Sequence, residues 1–222
     1  MSKCRPRMLG DRARTRAYKA ALEGAGLAGK TVLDVGAGTC ILSIFAARAG
    51  ARHVYAVEAS SLAAVGRAIV AANGLAGCIT VLQGRIEDIQ LPAKVDAIVS
   101  EWMGYALLYE DMLPSVLAAR DRWLAPGGVM LPSHATLWAA PLCDEGLDER
   151  RAADAAFWAD VCGVDMSAML PGVSAAALAD PVVAPFPPAA ALSRGVQLRR
   201  LELASMRPDE LLPWEARVTL GA

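Results

Sequence analysis

Between residues 31 and 50 an apolar run, Thr31-Val-Leu-Asp-Val35, breaks into Gly36-Ala37-Gly38. A second apolar stretch, Ile41 to Ala49, follows and stops at Gly50. A strand pattern that turns through glycines into a helix pattern excludes most architectures at once. Glycine allows the tight backbone turn that such a junction needs. The same order then repeats along the chain. After a helix pattern over 10–24, strand and helix patterns alternate at 31–36, 39–49, 53–58, 61–73, 78–83, 95–100, 111–124 and 129–132. Stop signals stand where these helices should end, at Gly24, Gly50, Asn73-Gly74 and Pro126-Gly127-Gly128. Alternation of this kind predicts an α/β fold with a doubly wound, mainly parallel sheet. Crossovers of one hand then bring the C-terminal strand ends, and with them Gly36, Glu58, Glu87 and Glu101, to a single edge.

That edge carries chemistry. The strand, Gly-x-Gly, helix order lets backbone approach a nucleotide-like ligand closely. Glu58 closes the next apolar run, Val54 to Val57, 24 residues after Asp34. An acid there is placed to accept hydrogen bonds from ribose hydroxyls. The third glycine of the dinucleotide signature is missing, so a pyrophosphate loop is the weaker reading. Further on, Ser100-Glu-Trp-Met-Gly-Tyr-Ala-Leu-Leu-Tyr-Glu110 sets two carboxylates, Glu101 and Glu110, nine residues apart, directly after an apolar strand pattern. Between them stand aromatic, small and aliphatic residues and no base. Two readings of these acids are open. One is a pocket that grips a planar cation, for which a guanidinium offers the matching fork of N–H donors. The other is an acidic helix cap beside one surface glutamate.

Asp34-Val-Gly-Ala-Gly-Thr39, Val57-Glu-Ala-Ser60, Ser100-Glu-Trp-Met-Gly-Tyr105 and Glu110-Asp-Met-Leu113 together resemble the protein arginine N-methyltransferases, nearest to their type I branch. The resemblance runs from about Met8 to about Met169. It includes Met8-Leu-Gly-Asp-Arg-Ala-Arg-Thr-Arg-Ala-Tyr18, Arg120-Asp-Arg-Trp-Leu-Ala-Pro-Gly-Gly128, Leu131-Pro132, Phe157-Trp158 and Gly163-Val-Asp-Met-Ser167. The double-acid segment is specific to that family, whereas the glycine turn alone says only Rossmann-like methyltransferase. The resemblance implies S-adenosylmethionine as cofactor and methyl transfer to arginine in protein substrates such as histones or Arg/Gly-rich proteins. It implies that Asp34, Gly36 and Gly38 form the cofactor turn and that Arg14 pairs with the cofactor carboxylate. Glu58 then holds the ribose, Ile86 lies on the adenine face and Glu87 near its amino group. Glu101 and Glu110 become the catalytic clamp, with Met8, Met103, Tyr105 and Met112 around the substrate pocket. Core filling is an equal alternative for the three methionines, a solvated helix arginine is the alternative for Arg14, and an ordinary surface acid is the alternative for Glu87.

The implied organisation is a tail over 1–9, a Rossmann-like domain over 10–132, and a partial β-barrel over 133–222. A helical arm near 145–170 carries Phe157 and Trp158 and implies a homodimer; packing on its own domain is the alternative for that helix. In the last part the patterns predict a strand over 135–140, a helix over 150–161, a loop over 171–193, and strands over 196–203 and 215–220. Three features depart from the family. Cys40 stands where glycine is usual, which predicts a side chain facing the cofactor turn. The paired aromatics before the first helix are missing. The second half of the barrel, with its Thr-His-Trp loop, is not met, and Leu211-Leu-Pro-Trp214 does not replace it. A non-catalytic scaffold that keeps the cofactor fold is therefore the competing function.

Composition narrows the partners. Lys and Arg number 22 against 23 Asp and Glu, so no basic field points to nucleic acid. No Asn/Asp-Pro-Pro-Tyr motif follows the strand at 95–99, which weighs against a nucleic-acid methyltransferase. Five dispersed cysteines without a Cys-x-x-Cys argue for reduced thiols in an intracellular compartment and against disulfides or zinc; nucleus or cytoplasm is the expected location. His53 and His134 lack ligand spacing, so no metal is expected. No apolar run is long enough to span a membrane, and the basic first residues lack the apolar core of a signal peptide.

Overall fold

The computed structural model describes residues 9–143, 145–179, 186–211 and 213–219. Contacts divide the chain into two compact units. The first comprises residues up to Thr136 together with Arg200–Trp214, and the second Leu137–Arg199 with 215–222.

The first unit begins with α1 (Arg12–Gly24), capped by Asp11, whose carboxylate accepts the Arg14 N–H at 3.0 Å. Then follow β1 (Thr31–Val35), α2 (Ile41–Arg48), β2 (His53–Glu58), α3 (Leu62–Ala72), β3 (Ile79–Gln83), β4 (Val95–Val99), α4 (Leu113–Trp123) and β5 (Leu124–Leu131). The five strands form one sheet in the order β3-β2-β1-β4-β5, and every neighbouring pair is parallel. β1 and β4 lie side by side although β2 and β3 separate them in sequence. The chain leaves this point toward opposite edges, which opens a crevice above the strand ends.

Both central strands are covered on two faces, which is why they read as continuous apolar runs instead of alternating ones. Successive side chains still point to opposite faces. On one face Leu33, Val35, Ile98 and Val116 share a core with the buried Trp102. On the other, Val32, Val54, Ala97 and Val99 pack with Leu22 of α1 and Leu42 of α2. Leu33 and Ile98 are fully buried, so truncating either to alanine costs about 2–5 kcal/mol.

α4 ends at Trp123 as its stop signal predicts, but the strand begins immediately, not at 129. Val95 pairs with Leu124 while Ala97 pairs with Val129. Pro126-Gly127-Gly128 therefore forms a bulge within β5, with Gly127 at φ 75°. An irregular bulge of this kind leaves no alternating pattern to read.

Beyond Pro132, β6 (His134–Ala139) and β7 (Val196–Glu202) pair in a two-stranded sheet. Among the described residues this ribbon is what stands in place of the expected barrel. In the first unit, Leu201, Leu203 and Met206 join the core that contains Trp102. Arg120 on α4 fastens that turn by donating to the carbonyls of Leu203 and Met206 at 2.6 and 2.7 Å.

The second unit contains α5 (Glu145–Ala159) and α6 (Leu170–Ala179). α5 starts earlier than the expected 150. α6 and a short 3-10 turn at Pro188–Ala190 occupy much of the segment 171–193 expected to be loop. Leu-Pro-Gly-Val-Ser-Ala-Ala-Ala-Leu-Ala is a helix because alanine has the highest helix propensity and Pro171 sits in the first turn, where it costs no hydrogen bond. Residues 180–185 lie outside the described ones. The expected strand over 215–220 is not formed over 215–219, and Leu220 lies outside the described residues. No described helix is long and apolar enough to cross a membrane, and no group of three or more potential metal ligands occurs among the described residues.

Candidate active site

The crevice is built on the turn after β1. Gly36 and Gly38 have φ of 74° and 54°, in the left-handed region that side chains disfavour. The N–H groups of Gly36 and Ala37 both donate to the Val57 carbonyl at 2.9 Å, which ties the turn to β2. Glu58 ends that strand and completes the tie. One of its oxygens accepts the Gly38 N–H at 2.8 Å, the other the Ser60 N–H at 2.7 Å. A carboxylate has about four acceptor positions, so Glu58 can still receive two hydroxyls.

Beneath the turn lies Asp34, fully buried. Its Oδ2 accepts the Ser43 hydroxyl of α2 at 2.6 Å, and its Oδ1 has no hydrogen-bond partner among the described residues. Burial pushes its carboxyl up to about 6, against the opposing pull of the Ser43 hydrogen bond.

Two cavities meet at Gly36. The larger, about 430 Å³, is bounded by Gly36, Glu58, Ile86, Glu87, Glu110 and Met112. A Cβ on Gly36 would collide with the Met112 thioether methyl, so Met112 lies directly over the turn. Glu87 is held by the Ser115 hydroxyl of α4 at 2.5 Å and by Arg85 at 3.5 Å. The Ser115 hydrogen bond leads in keeping its carboxyl below the usual range.

The smaller cavity, about 130 Å³, is bounded by Arg14 and Tyr18 of α1, by Gly36 to Thr39, and by Glu101. Tyr18 donates its hydroxyl to the Ser100 carbonyl at 3.0 Å, which fixes α1 to the end of β4. Arg14 reaches Glu101 at 3.0 Å. Burial raises the Glu101 carboxyl above its ordinary value; Arg14 opposes this, and the negative charge of Glu110 adds to it.

The structure brings together Arg14, Asp34, Gly36, Gly38, Glu58, Ile86, Glu87, Glu101, Glu110 and Met112. It treats four other expected residues differently. Met8 lies outside the described residues. Met103 borders neither of these cavities; it lines an apolar hollow of about 300 Å³ with Ala17, Tyr18, Leu131 and Pro132. Tyr105 is 49% exposed and borders no described cavity, its ring tilted against Tyr109 at 6.2 Å. Cys40 does not face the cofactor turn. Its φ of 62° sends the fully buried thiol toward Gly66 of α3, where a Cβ would lie 2.7 Å from Sγ. Burial pushes that thiol up to about 12. Ser43 and Ser115 carry no signal in the sequence: each supports an acid through its hydroxyl from a separate helix, and isolated serines give no pattern.

A parallel sheet of this order, with a glycine turn and a strand-terminal acid at its switch point, is a Rossmann-like methyltransferase fold. A methyltransferase domain family model matches residues 32–128. The probable protein arginine N-methyltransferase 6.1 of Oryza sativa subsp. indica is 55% identical over 166 residues, 74% of this chain and 43% of that protein. Protein arginine N-methyltransferase 6 of Xenopus tropicalis is 53% identical over 167 residues, 73% of this chain and 48% of that protein. Among solved structures, the Trypanosoma brucei PRMT1 enzyme–prozyme heterotetrameric complex with AdoHcy matches with a TM-score of 0.81 at 39% identity, covering 92% of this chain and 63% of that one. The chain belongs to the protein arginine N-methyltransferase family. It spans about half the length of the curated relatives it matches.

Proposed function

We propose that this chain binds S-adenosylmethionine across the two cavities and that Glu101 and Glu110 orient an arginine guanidinium of a protein substrate for methylation. The observation that carries this reading is the placement of Glu101. It is half-buried, shares the smaller cavity with Gly36 and Gly38 and is held by Arg14 at 3.0 Å, while Glu110 borders the larger cavity that also meets Gly36.

The residues suit the cofactor. A cavity of about 430 Å³ lies in the range of small-molecule sites, about 300–1,000 Å³. Gly36 and Gly38 admit a close backbone approach, and Glu58 retains acceptor positions for two ribose hydroxyls. Arg14 supplies the cation for an amino-acid carboxylate in the smaller cavity. Its guanidinium has five donors, so it can hold that carboxylate and Glu101 together. S-adenosylmethionine, when bound, supplies a sulfonium methyl with its leaving group already activated. The acids then have two tasks. They fix the guanidinium in a bidentate grip, presenting one terminal nitrogen to the methyl. They also draw the positive charge toward the nitrogens they touch, which leaves the presented nitrogen more nucleophilic. The arriving cation offsets the repulsion between the two acids and favours their ionised forms.

Histones and Arg/Gly-rich proteins are the candidate substrates, since both offer arginine to an acidic loop. A homodimer through the α5 region is part of the same reading, supported by Phe157, 57% exposed on that helix. The setting is intracellular, nucleus or cytoplasm. Free thiols at Cys40, Cys78, Cys143 and Cys162 support that.

The test is calorimetric binding of S-adenosylmethionine, followed by methyl transfer to matched peptides that carry arginine or lysine at one position. Transfer to the arginine peptide alone is expected. Cofactor binding with no transfer to either peptide identifies the scaffold reading instead.

A further inference from the structure

We propose that Gly104 is a positioning residue: the absence of a side chain there is what allows Glu110 to fold back over the loop and reach the wall of the larger cavity. The inference rests on the arginine-gripping role given to Glu110.

The loop from Gly104 to Asp111 closes on itself. Gly104 and Leu107 exchange N–H···O bonds at 3.1 and 3.0 Å, Tyr109 donates to the Tyr105 carbonyl at 3.1 Å, and Asp111 to that of Leu108 at 3.1 Å. These bonds place residue 110 against residue 104. A Cβ built on Gly104 would lie 2.6 Å from the Cγ of Glu110, 3.0 Å from its Cβ and 2.9 Å from its N.

The backbone does not explain the glycine. The left-handed conformations of this loop fall on Ala106, Leu107 and Asp111, with φ of 46°, 69° and 51°, and Gly104 is outside that region. An alanine at 104 would have no torsional difficulty. It would meet the stem of Glu110, and the rest of the loop bonds would prevent the two from separating. The glycine is therefore kept for space, and the space is filled by the N, Cβ and Cγ of Glu110, an acid that borders the site. Substitution at 104 acts on the site by turning Glu110 away.

The experiment is a double-mutant cycle on the full chain, with Gly104→Ala, Glu110→Ala and the pair. Two quantities are read: affinity for an arginine-containing peptide by calorimetry in the presence of S-adenosylhomocysteine, and the thermal midpoint. Gly104→Ala alone is expected to weaken the peptide at least tenfold, about as much as Glu110→Ala does. In the Glu110→Ala background the same change should cost less than twofold in peptide affinity, and its effect on the midpoint should shrink by the share that the Cγ contact carries, since the contacts with the N and Cβ of residue 110 persist. Equal losses in both backgrounds, or none in either, overturn the proposal. If Glu110→Ala leaves peptide affinity unchanged, or the wild-type chain binds no peptide, the arginine-gripping role fails instead. The midpoint cycle then still decides the contact: a larger loss in the background with Glu110 than in the Glu110→Ala background upholds it, and an equal loss in both refutes it. Should Gly104→Ala not fold, recovery of folding in the double variant is the supporting result and its absence the refuting one.

Discussion

Asp34 makes the first half of the site a liability for stability, and the size of that liability can be worked out. Its carboxyl stands at about 6 in the folded chain against a reference of 3.8, because burial outweighs the Ser43 hydrogen bond. A raised acid binds its proton more tightly folded than unfolded. Below the unfolded value both states are protonated and nothing is lost. As pH rises from about 4 to about 6 the unfolded chain releases the proton first, and stability falls. Above about 6 the full cost is present, about 3 kcal/mol at about 1.4 kcal/mol per pKa unit. About 2 kcal/mol of it develops between about pH 4.5 and pH 7. Asp34→Asn removes this dependence while keeping the shape. It adds a constant offset, because an amide N–H now sits where Oδ1 had no partner, worth about 1–3 kcal/mol. Urea denaturation of both proteins across that pH range separates the two effects. The stability of wild type relative to Asp34→Asn should fall by about 2 kcal/mol from pH 4.5 to pH 7. A difference that is flat with pH, or that moves the other way, refutes the account of Asp34 as a buried, under-satisfied acid.

Three further outcomes follow from the same turn. Gly66→Ala brings a Cβ to 2.7 Å from the Cys40 thiol and 3.2 Å from the Gly38 carbonyl, so denaturation should show a loss of about 1–3 kcal/mol. Cys40→Gly relieves the left-handed strain at 40 and should leave cofactor affinity unchanged or improved; a large loss by calorimetry would mean the turn depends on the thiol. Glu58→Ala removes the acceptor of both the Gly38 and Ser60 N–H groups. Cofactor binding should weaken by about 1–3 kcal/mol, and unchanged affinity would remove Glu58 from the ribose role.

What could be read from the sequence was whatever repeats with a period. Parallel strands buried on both faces, helices with stop signals and acids at strand ends gave the order of elements and the edge where Gly36, Glu58, Glu87 and Glu101 meet. What could not be read depends on contacts between distant residues or on irregular backbone. The pairing of Arg14 with Glu101 spans 87 residues. The bulge at Pro126-Gly127-Gly128 has no period. α6 was hidden because its alanines have no polar face to set against an apolar one. The direction of the Cys40 side chain follows from one torsion angle, and the exposure of Tyr105 from three left-handed residues near it, neither of which composition records.

The central claim is that Glu101 and Glu110 together recognise arginine through their charge. The most direct measurement is radiolabelled methyl transfer from S-adenosylmethionine to an arginine peptide by the wild-type chain and by Glu101→Gln and Glu110→Gln, with cofactor affinity measured alongside. Gln keeps the shape and removes the charge. Each variant should lose at least about a hundredfold in turnover, with cofactor affinity nearly unchanged for Glu110→Gln. Equal transfer by wild type and both variants would contradict the claim and leave the two acids a structural role.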